Sequence, residues 1–147
     1  MREDPKERAA PSQSGICRRP GRILIVDDER LLGRALSACL SDENQVVFEP
    51  DAATALHRLR RGERYDVVLC DVVMPGIDGV EFYYRLAATI PEMAKRVIFM
   101  TGGVLEERAA FFLDHVPNLV LVKPFDTGAL RALIERRVMG PVESVAG

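Results

Sequence analysis

Residues 66–79 read Asp-Val-Val-Leu-Cys-Asp-Val-Val-Met-Pro-Gly-Ile-Asp-Gly. The apolar run at residues 67–70 predicts a short buried strand, and the Pro75-Gly76 pair after it predicts a turn. Asp71 therefore stands at the carboxyl end of this strand, which in an open α/β sheet faces the crevice where ligands bind. A single aspartate in such a place more often caps a turn, so the interpretation of Asp71 depends on its neighbours in space.

Four further pairs of strand and helix surround this stretch. Apolar runs predict strands at residues 22–26, 45–49, 96–100 and 119–122, and apolar residues at helical spacing predict helices at 32–40, after Asp51, at 79–88, at 105–115 and after Asp126. Because each connection is as long as a helix, the strands must be parallel, with helices on both faces. The predicted fold class is α/β, either a flavodoxin-like (βα)5 three-layer sandwich or a Rossmann half.

The turn between the first strand and the first helix distinguishes between these two folds. It reads Asp27-Asp28-Glu29 and lacks the glycines of a dinucleotide-binding loop. Three carboxylates at this turn would repel the phosphates of a nucleotide or flavin. We therefore predict the flavodoxin-like strand order 2-1-3-4-5 and no nucleotide cofactor.

Composition limits the compartment and the partners. The 147 residues, 48% of them hydrophobic, fit one domain at residues 21–139, with a disordered tail or linker at 1–20 and a flexible tail at 140–147. The formal net charge of -2 provides no general attraction to nucleic acid or anionic membranes, and no apolar run reaches membrane-spanning length. Three cysteines without C-x-x-C spacing argue against a disulfide framework or a zinc site. These features predict a cytoplasmic protein without a nucleic-acid or membrane partner.

The predicted strand order brings acidic strand ends together. Strands one and three would be neighbours roughly 4.8 Å apart, so Asp27, Asp28 and Asp71 should meet at the edge of the sheet where the strand order reverses. Alone, the Asp27-Asp28 pair would indicate a helix cap and a solvated acid. At about 5 Å and an effective dielectric near 20, each pair of like charges costs about 3 kcal/mol, which raises a pKa or requires a cation. Hard oxygen ligands favour Mg²⁺, or Mn²⁺, over zinc.

Two more strand ends carry groups that suit a phosphate. Strand four ends in Thr101-Gly102-Gly103, a hydroxyl and unhindered amides that we expect at a helix N-terminus, although Thr101 alone would be an ordinary N-cap. Strand five ends in Lys123-Pro124, and this lysine stands two strands, roughly 10 Å, from Asp71, a gap that its side chain can close. A surface lysine is the simpler alternative. Together the strand ends supply a carboxylate nucleophile, a cation cage, an ammonium group and a hydroxyl, as phosphoryl transfer requires.

These motifs resemble the receiver domain of two-component response regulators, over about residues 21–139. The resemblance rests on four segments in order, each at its own strand end: residues 23–29 (Ile-Leu-Ile-Val-Asp-Asp-Glu), residues 71–79, Thr101-Gly102 and Lys123-Pro124-Phe125. It implies that Asp71 accepts a phosphoryl group from the phosphohistidine of a histidine kinase or phosphotransfer protein, forming an acyl phosphate. It also implies a Mg²⁺ ion bound by Asp28 directly, by Asp27 through water, by the phosphoacceptor and by the backbone carbonyl of Val73.

The resemblance further implies a switch. Lys123 would pair with the phosphoryl oxygens, Thr101 would move to hydrogen-bond them, and this movement would bias the last two helices towards an active arrangement. The small Gly102 would leave access for the phosphoryl group and the partner. One position departs from the family pattern, because the aromatic residue usual three positions before the lysine is Val120 here. Because Val120 contributes no charge to the site, the phosphorylation chemistry should not depend on this departure. The departure concerns the output of the switch.

Three functions compete. The favoured one is a phosphoacceptor signalling module rather than an enzyme, either a stand-alone receiver or, preferably, the C-terminal receiver of a hybrid sensor histidine kinase, with a downstream partner or attached domain that the sequence does not identify. A Mg²⁺-dependent aspartyl-phosphate phosphatase of the haloacid-dehalogenase type would need an acid two residues after Asp71, where Val73 stands. A degenerate receiver that acts as a protein-binding scaffold is the third alternative. His57 and His115 are expected on the surface, not as phosphodonors, and formation of a homodimer is left open.

Overall fold

A five-stranded parallel sheet forms the centre of the computed structural model, which describes residues 19–140. The predicted tails fall, but for residues 19, 20 and 140, outside this range. The strands, in chain order, are β1 (Gly21–Val26), β2 (Asn44–Glu49), β3 (Val67–Asp71), β4 (Val97–Thr101) and β5 (Val120–Val122). They lie in the order β2-β1-β3-β4-β5, and every neighbouring pair is parallel. The predicted α/β class and the flavodoxin-like order are thus confirmed.

Within residues 19–140, five helices lie between the strands, a sixth follows β5, and together they cover both faces of the sheet. They are α1 (Arg30–Leu40), α2 (Ala52–Arg60), α3 (Gly79–Thr89), α4 (Pro91–Ala94), α5 (Glu107–His115) and α6 (Thr127–Met139). One core cluster joins α1 and α6 to one face of the sheet, and a second joins α2, α3, α4 and α5 to the other face. The three layers follow from strands that are apolar on both faces, since both sides must be covered. Within residues 19–140 no helix combines the length and the apolar character that crossing a bilayer requires.

Some element limits differ from those predicted. The strand ladder continues through Asp71 and Thr101, because Asp71 pairs with Met100 and the backbone N–H of Lys123 donates to the Thr101 carbonyl at 2.7 Å. The one-turn helix α4 was not predicted, since four residues are too few to give a helical period. The expected position of His57 and His115 on the surface is confirmed, as both are exposed.

Arg19 lies in the predicted tail but contacts the folded domain. Its guanidinium donates to both carboxylate oxygens of Asp66, at 2.7 and 3.1 Å, and to the carbonyl of Val138 near the end of α6, at 3.1 Å. A planar guanidinium matches a carboxylate in this two-point geometry. The chain is therefore attached to the sheet two residues before β1 begins.

Gly79 begins α3 at a close approach to the end of β3. A Cβ atom placed on Gly79 would lie 2.5 Å from the carbonyl oxygen of Asp71 and 2.8 Å from Cα of Val72, and both are backbone atoms. Neither can move aside without displacing the strand end that carries Asp71. Only glycine fits here without displacing this part of the backbone.

We expect Gly79→Ala to lower the free energy of unfolding by about 2–3 kcal/mol, because overpacking against backbone forces the helix and the strand end apart. The matched control is Gly128→Ala in α6, where the nearest atom to an added Cβ is Asp126 Oδ1 at 3.6 Å, an ordinary contact. Alanine is the better helix former, so this control should be neutral or slightly stabilising. Urea denaturation of both variants measures the difference, and equal stabilities would contradict the close approach.

Candidate functional site

Three carboxylates meet at the carboxyl edge of the sheet. Since β1 pairs with β3, with Val26 opposite Cys70, the residues that follow these two positions are brought side by side. Asp27, Asp28 and Asp71 each offer an oxygen within 4.8 Å of the other two. Asp27 and Asp71 are buried, whereas Asp28 is exposed at the mouth of the crevice.

Asp27 is the most firmly held of the three. Its Oδ1 accepts the backbone N–H of Glu29 at 2.9 Å, and its Oδ2 accepts a hydrogen bond from Lys123 Nζ at 3.2 Å. Burial is the main reason that the pKa of Asp27 is raised, although the Glu29 N–H and Lys123 act in the opposite direction. The carboxylate therefore keeps a fixed orientation beneath the exposed Asp28.

Lys123 reaches the acidic cluster from two strands away. It follows β5, its peptide bond to Pro124 is cis, and its Nζ lies 2.9 Å from Asp71 Oδ1 and 3.1 Å from Glu29 Oε1. The extended side chain thus closes the gap of about 10 Å that the strand spacing left. Burial alone would lower the pKa of Lys123, but its hydrogen bond and charge interaction with Asp71 outweigh burial and raise it. The lysine therefore carries its full positive charge at neutral pH.

Glu29 was not predicted as a partner of this lysine. It is the third residue of the acidic run after β1, and it is the N-terminal flanking residue of α1. The sequence indicated this position only through the acidic run itself, because a third carboxylate directly after the Asp pair adds negative charge where a cation would bind. Glu29 therefore belongs to the site by its contact with Lys123.

The pKa of Asp71 is raised to about 6. Burial is the largest cause, the hydrogen bond from Lys123 opposes it, and the charges of Asp27 and Asp28 add to it. The sequence-based explanation, which attributed such a shift to repulsion between like charges, named a lesser contribution. Desolvation raises the pKa more than the neighbouring charges do, because Asp71 is the last residue of β3 and is buried in a sheet that helices cover on both faces.

Thr101 is the last residue of β4, the strand next to β3, and Gly102 follows it directly. The Thr101 hydroxyl is buried, and it has no hydrogen-bond partner among residues 19–140. An added Cβ on Gly102 would lie 3.2 Å from Cβ of Lys123, so a larger residue would crowd the lysine stem. The Thr101 hydroxyl is therefore a donor that is still available, and the stem of Lys123 is not crowded by the residue after Thr101.

The prediction that these glycines lie at a helix N-terminus is wrong. Helix α5 begins only at Glu107, and Glu106 rather than Thr101 is the residue that flanks its start. Gly103 has φ +71°, a left-handed conformation that a right-handed helix cannot contain. The helix therefore starts after a loop, and its amides do not face the carboxylates directly.

Two further residues were named from the sequence. Val73 follows β3 by two residues in the loop to α3, and its side chain is exposed. Val120 begins β5 opposite Phe99 of β4 and packs, half-buried, against the core under α5. The metal contact of the Val73 carbonyl and the part of Val120 in a switch stay predictions.

The donor set fits a hard divalent cation. Asp27, Asp28 and Asp71 present carboxylate oxygens only, which suits Mg²⁺ or Mn²⁺ and gives zinc none of the nitrogen or sulfur ligands that it prefers. The burial of Asp71 makes its negative charge costly without such an ion. These three residues would hold the cation.

The raised pKa of Asp71 makes stability depend on pH. Its folded value of about 6 lies above the ordinary 3.8, so the fold favours the protonated acid. The contribution of this group to stability is full below pH 3.8 and is lost as the pH rises through about 6. Without divalent cations, we expect the free energy of unfolding of the wild type to fall by about 3 kcal/mol relative to that of Asp71→Asn as the pH rises from about 4 to about 8. Urea denaturation of both proteins in chelator tests this, and a difference that stays constant with pH would contradict it.

Comparison with known proteins agrees with this geometry. The family model described as response regulator receiver domain matches residues 23–135. The response regulator protein FleR of Pseudomonas aeruginosa is 31% identical over 119 residues, which are 81% of this chain and 25% of FleR. The response regulator MprA of Mycolicibacterium vanbaalenii is 36% identical over 118 residues, 80% of this chain and 48% of MprA. The chain therefore spans between a quarter and a half of the length of these relatives.

Solved structures agree as well. The signal receiver domain of a signal transduction histidine kinase from Syntrophus aciditrophicus is 25% identical, with a TM-score of 0.70 over 83% of this chain and 92% of that one. The range that the family model matches, residues 23–135, includes the ends of the four strands that form the crevice. The chain belongs to the response regulator receiver domain family.

Proposed function

We propose that the domain, within limits of residues 21–139, accepts a phosphoryl group on Asp71 from the phosphohistidine of a histidine kinase or phosphotransfer protein. The observation that carries the proposal is the ammonium group of Lys123, held 2.9 Å from Asp71 Oδ1 within a cluster of three aspartates. A carboxylate beside a fixed positive charge and a cation-binding cluster is equipped to attack phosphorus. The domain is a signalling module in this proposal and turns over no substrate of its own beyond its phosphoryl group.

The transfer step forms one bond and breaks one. A carboxylate oxygen of Asp71 attacks phosphorus in line with the leaving imidazole, the bond from phosphorus to nitrogen breaks, and its electron pair stays with the imidazole. A bound Mg²⁺ supplies neutralisation of charge on the phosphoryl oxygens. Lys123 supplies positive charge from the flank, and burial of Asp71 keeps water away from the attacking oxygen.

Phosphorylation would change the loop after β4. The unpartnered hydroxyl of Thr101 can donate to a phosphoryl oxygen, and the two glycines that follow allow the loop to move with it. Helix α5 is joined to this loop, so its position is the proposed readout for a downstream partner. Val120 supplies no aromatic ring to this movement, so Thr101 and the loop carry the proposed change.

Two kinds of full-length protein could contain this domain. The likeness to the receiver of the histidine kinase from Syntrophus aciditrophicus favours the receiver of a hybrid sensor kinase, and the likeness to FleR and MprA favours a response regulator. The cytoplasm is the proposed compartment, because Cys39 and Cys70 are both free thiols and this fits a reducing environment.

Phosphoryl uptake from a small donor tests the function. The protein is incubated with acetyl phosphate and Mg²⁺, and intact mass spectrometry follows the product. We expect a gain of one phosphoryl group that hydroxylamine removes and that chelator prevents. A protein that gains no phosphoryl group with Mg²⁺ present would instead support the scaffold alternative, and continuous release of inorganic phosphate in many turnovers would support the phosphatase alternative.

A further inference from the structure

All three N–H donors of the Lys123 ammonium group have carboxylate acceptors. The acceptors are Asp71 Oδ1 at 2.9 Å, Glu29 Oε1 at 3.1 Å and Asp27 Oδ2 at 3.2 Å. An ammonium group has three donors, so none is left over for an incoming group. A phosphoryl oxygen that binds Lys123 must therefore displace one of these acceptors.

The three acceptors differ in how easily they can leave. The side chains of Asp27 and Asp71 are 0% and 9% exposed, whereas that of Glu29 is 64% exposed. A carboxylate that leaves the lysine for water is rehydrated only if it can reach water, and this is true of Glu29 alone among the three. Glu29 also makes no side-chain hydrogen bond to the start of α1, so nothing in the helix end holds it in place.

We propose that Glu29 is a positioning residue that holds the Lys123 ammonium group in the unphosphorylated domain and gives it up to the phosphoryl group. This inference rests on the proposed function. Glu29 then acts as a competitor with the phosphoryl oxygens for one N–H donor, and it sets the rate at which the domain takes up a phosphoryl group without being required for the transfer.

Glu29→Gln removes the charge and keeps the size of the side chain. Because an exposed ion pair is worth little, we expect a moderate effect: uptake from acetyl phosphate at saturating Mg²⁺ becomes about three-fold to ten-fold faster, measured as the second-order rate constant. Glu92→Gln is the matched control, since Glu92 is an exposed glutamate in α4, which leads into the opposite end of β4. This control should stay within about 1.5-fold of the wild type, which excludes an effect of net charge alone.

The contribution of Lys123 is isolated by a double-mutant cycle. In a Lys123→Met background, Glu29→Gln should change the rate by less than about 1.5-fold, because its partner is absent. An equal acceleration in both backgrounds would mean that Glu29 acts on the donor directly and would overturn the proposal. Slower uptake in Glu29→Gln, or weaker Mg²⁺ binding by calorimetry, would overturn it as well, since Glu29 would then assist the metal.

A second measurement needs neither metal nor donor. In the metal-free protein the Lys123 ammonium resonance should be observable by NMR at low temperature, because three acceptors slow its exchange with water. Glu29→Gln should speed this exchange at least about three-fold, and Glu92→Gln should leave it unchanged. If the wild type takes up no phosphoryl group, the proposed function fails. If the wild type does take up a phosphoryl group, but Glu29→Gln has the same uptake rate and the same ammonium exchange rate as the wild type, only this inference fails.

Discussion

Asp71→Asn should take up no phosphoryl group from acetyl phosphate, a loss of at least about a thousand-fold in rate relative to the wild type. The amide that replaces the carboxylate is a poor nucleophile and carries no charge to hold a cation. Asp71 is a buried carboxylate on β3, between β1 and β4, and its Oδ1 makes the shortest of the three contacts of Lys123 Nζ, at 2.9 Å. Intact mass spectrometry after incubation with Mg²⁺ and acetyl phosphate gives the measurement.

The same substitution should leave the domain folded. The pKa of Asp71 is raised by burial, so its ionised form is strained at neutral pH, and a neutral amide of the same shape relieves this cost. Loss of uptake in Asp71→Asn therefore cannot be explained by unfolding. Asp114→Asn on the exposed side of α5 is the matched control and should be labelled like the wild type. A label that persists in Asp71→Asn would move the acceptor to another residue.

The sheet could be predicted because its strands carry a strong local signal. The runs that form β1 and β3 are apolar on both faces, and the connections between strands are too long for hairpins. Strand order followed from the acidic turn after β1, which excluded the nucleotide-binding plan. The ends of β3 and β4 were each predicted one residue early, since Asp71 and Thr101 continue the ladder through backbone hydrogen bonds that their polar side chains do not indicate.

The site could be predicted in composition but not in its contacts. Strand order alone brings Asp27 and Asp71 together, because parallel strands place their carboxyl ends on one edge. The partnership of Glu29 with Lys123 depends on the direction of two long side chains, which spacing along the sequence does not fix. The late start of α5 goes with the positive φ of Gly103. A glycine in the sequence does not by itself indicate this conformation, because glycine adopts negative φ as readily. Burial, which dominates the pKa of Asp71, appears only when the helices are packed.

Lys123→Met should slow phosphoryl uptake by about ten-fold to a hundred-fold and should uncouple the phosphorylated domain from its partner. The variant keeps the apolar stem beside Gly102 and removes only the charge. A fixed positive charge beside the phosphoryl oxygens is worth most where charge is least screened, and Lys123 is mostly buried. Lys95→Met, an exposed lysine after α4, is the matched control and should behave like the wild type.

The fold should tolerate this loss when Mg²⁺ is present, because the cation can neutralise Asp27 and Asp71 in place of the ammonium group. In chelator, the pKa of Asp71 should rise further in Lys123→Met, since its one favourable charge partner is removed. Stability in chelator should then fall more steeply with rising pH than in the wild type. A folded Lys123→Met that is labelled at the wild-type rate would show that the ammonium group takes no part in transfer, and a variant that melts even with Mg²⁺ would show that the lysine serves the fold instead.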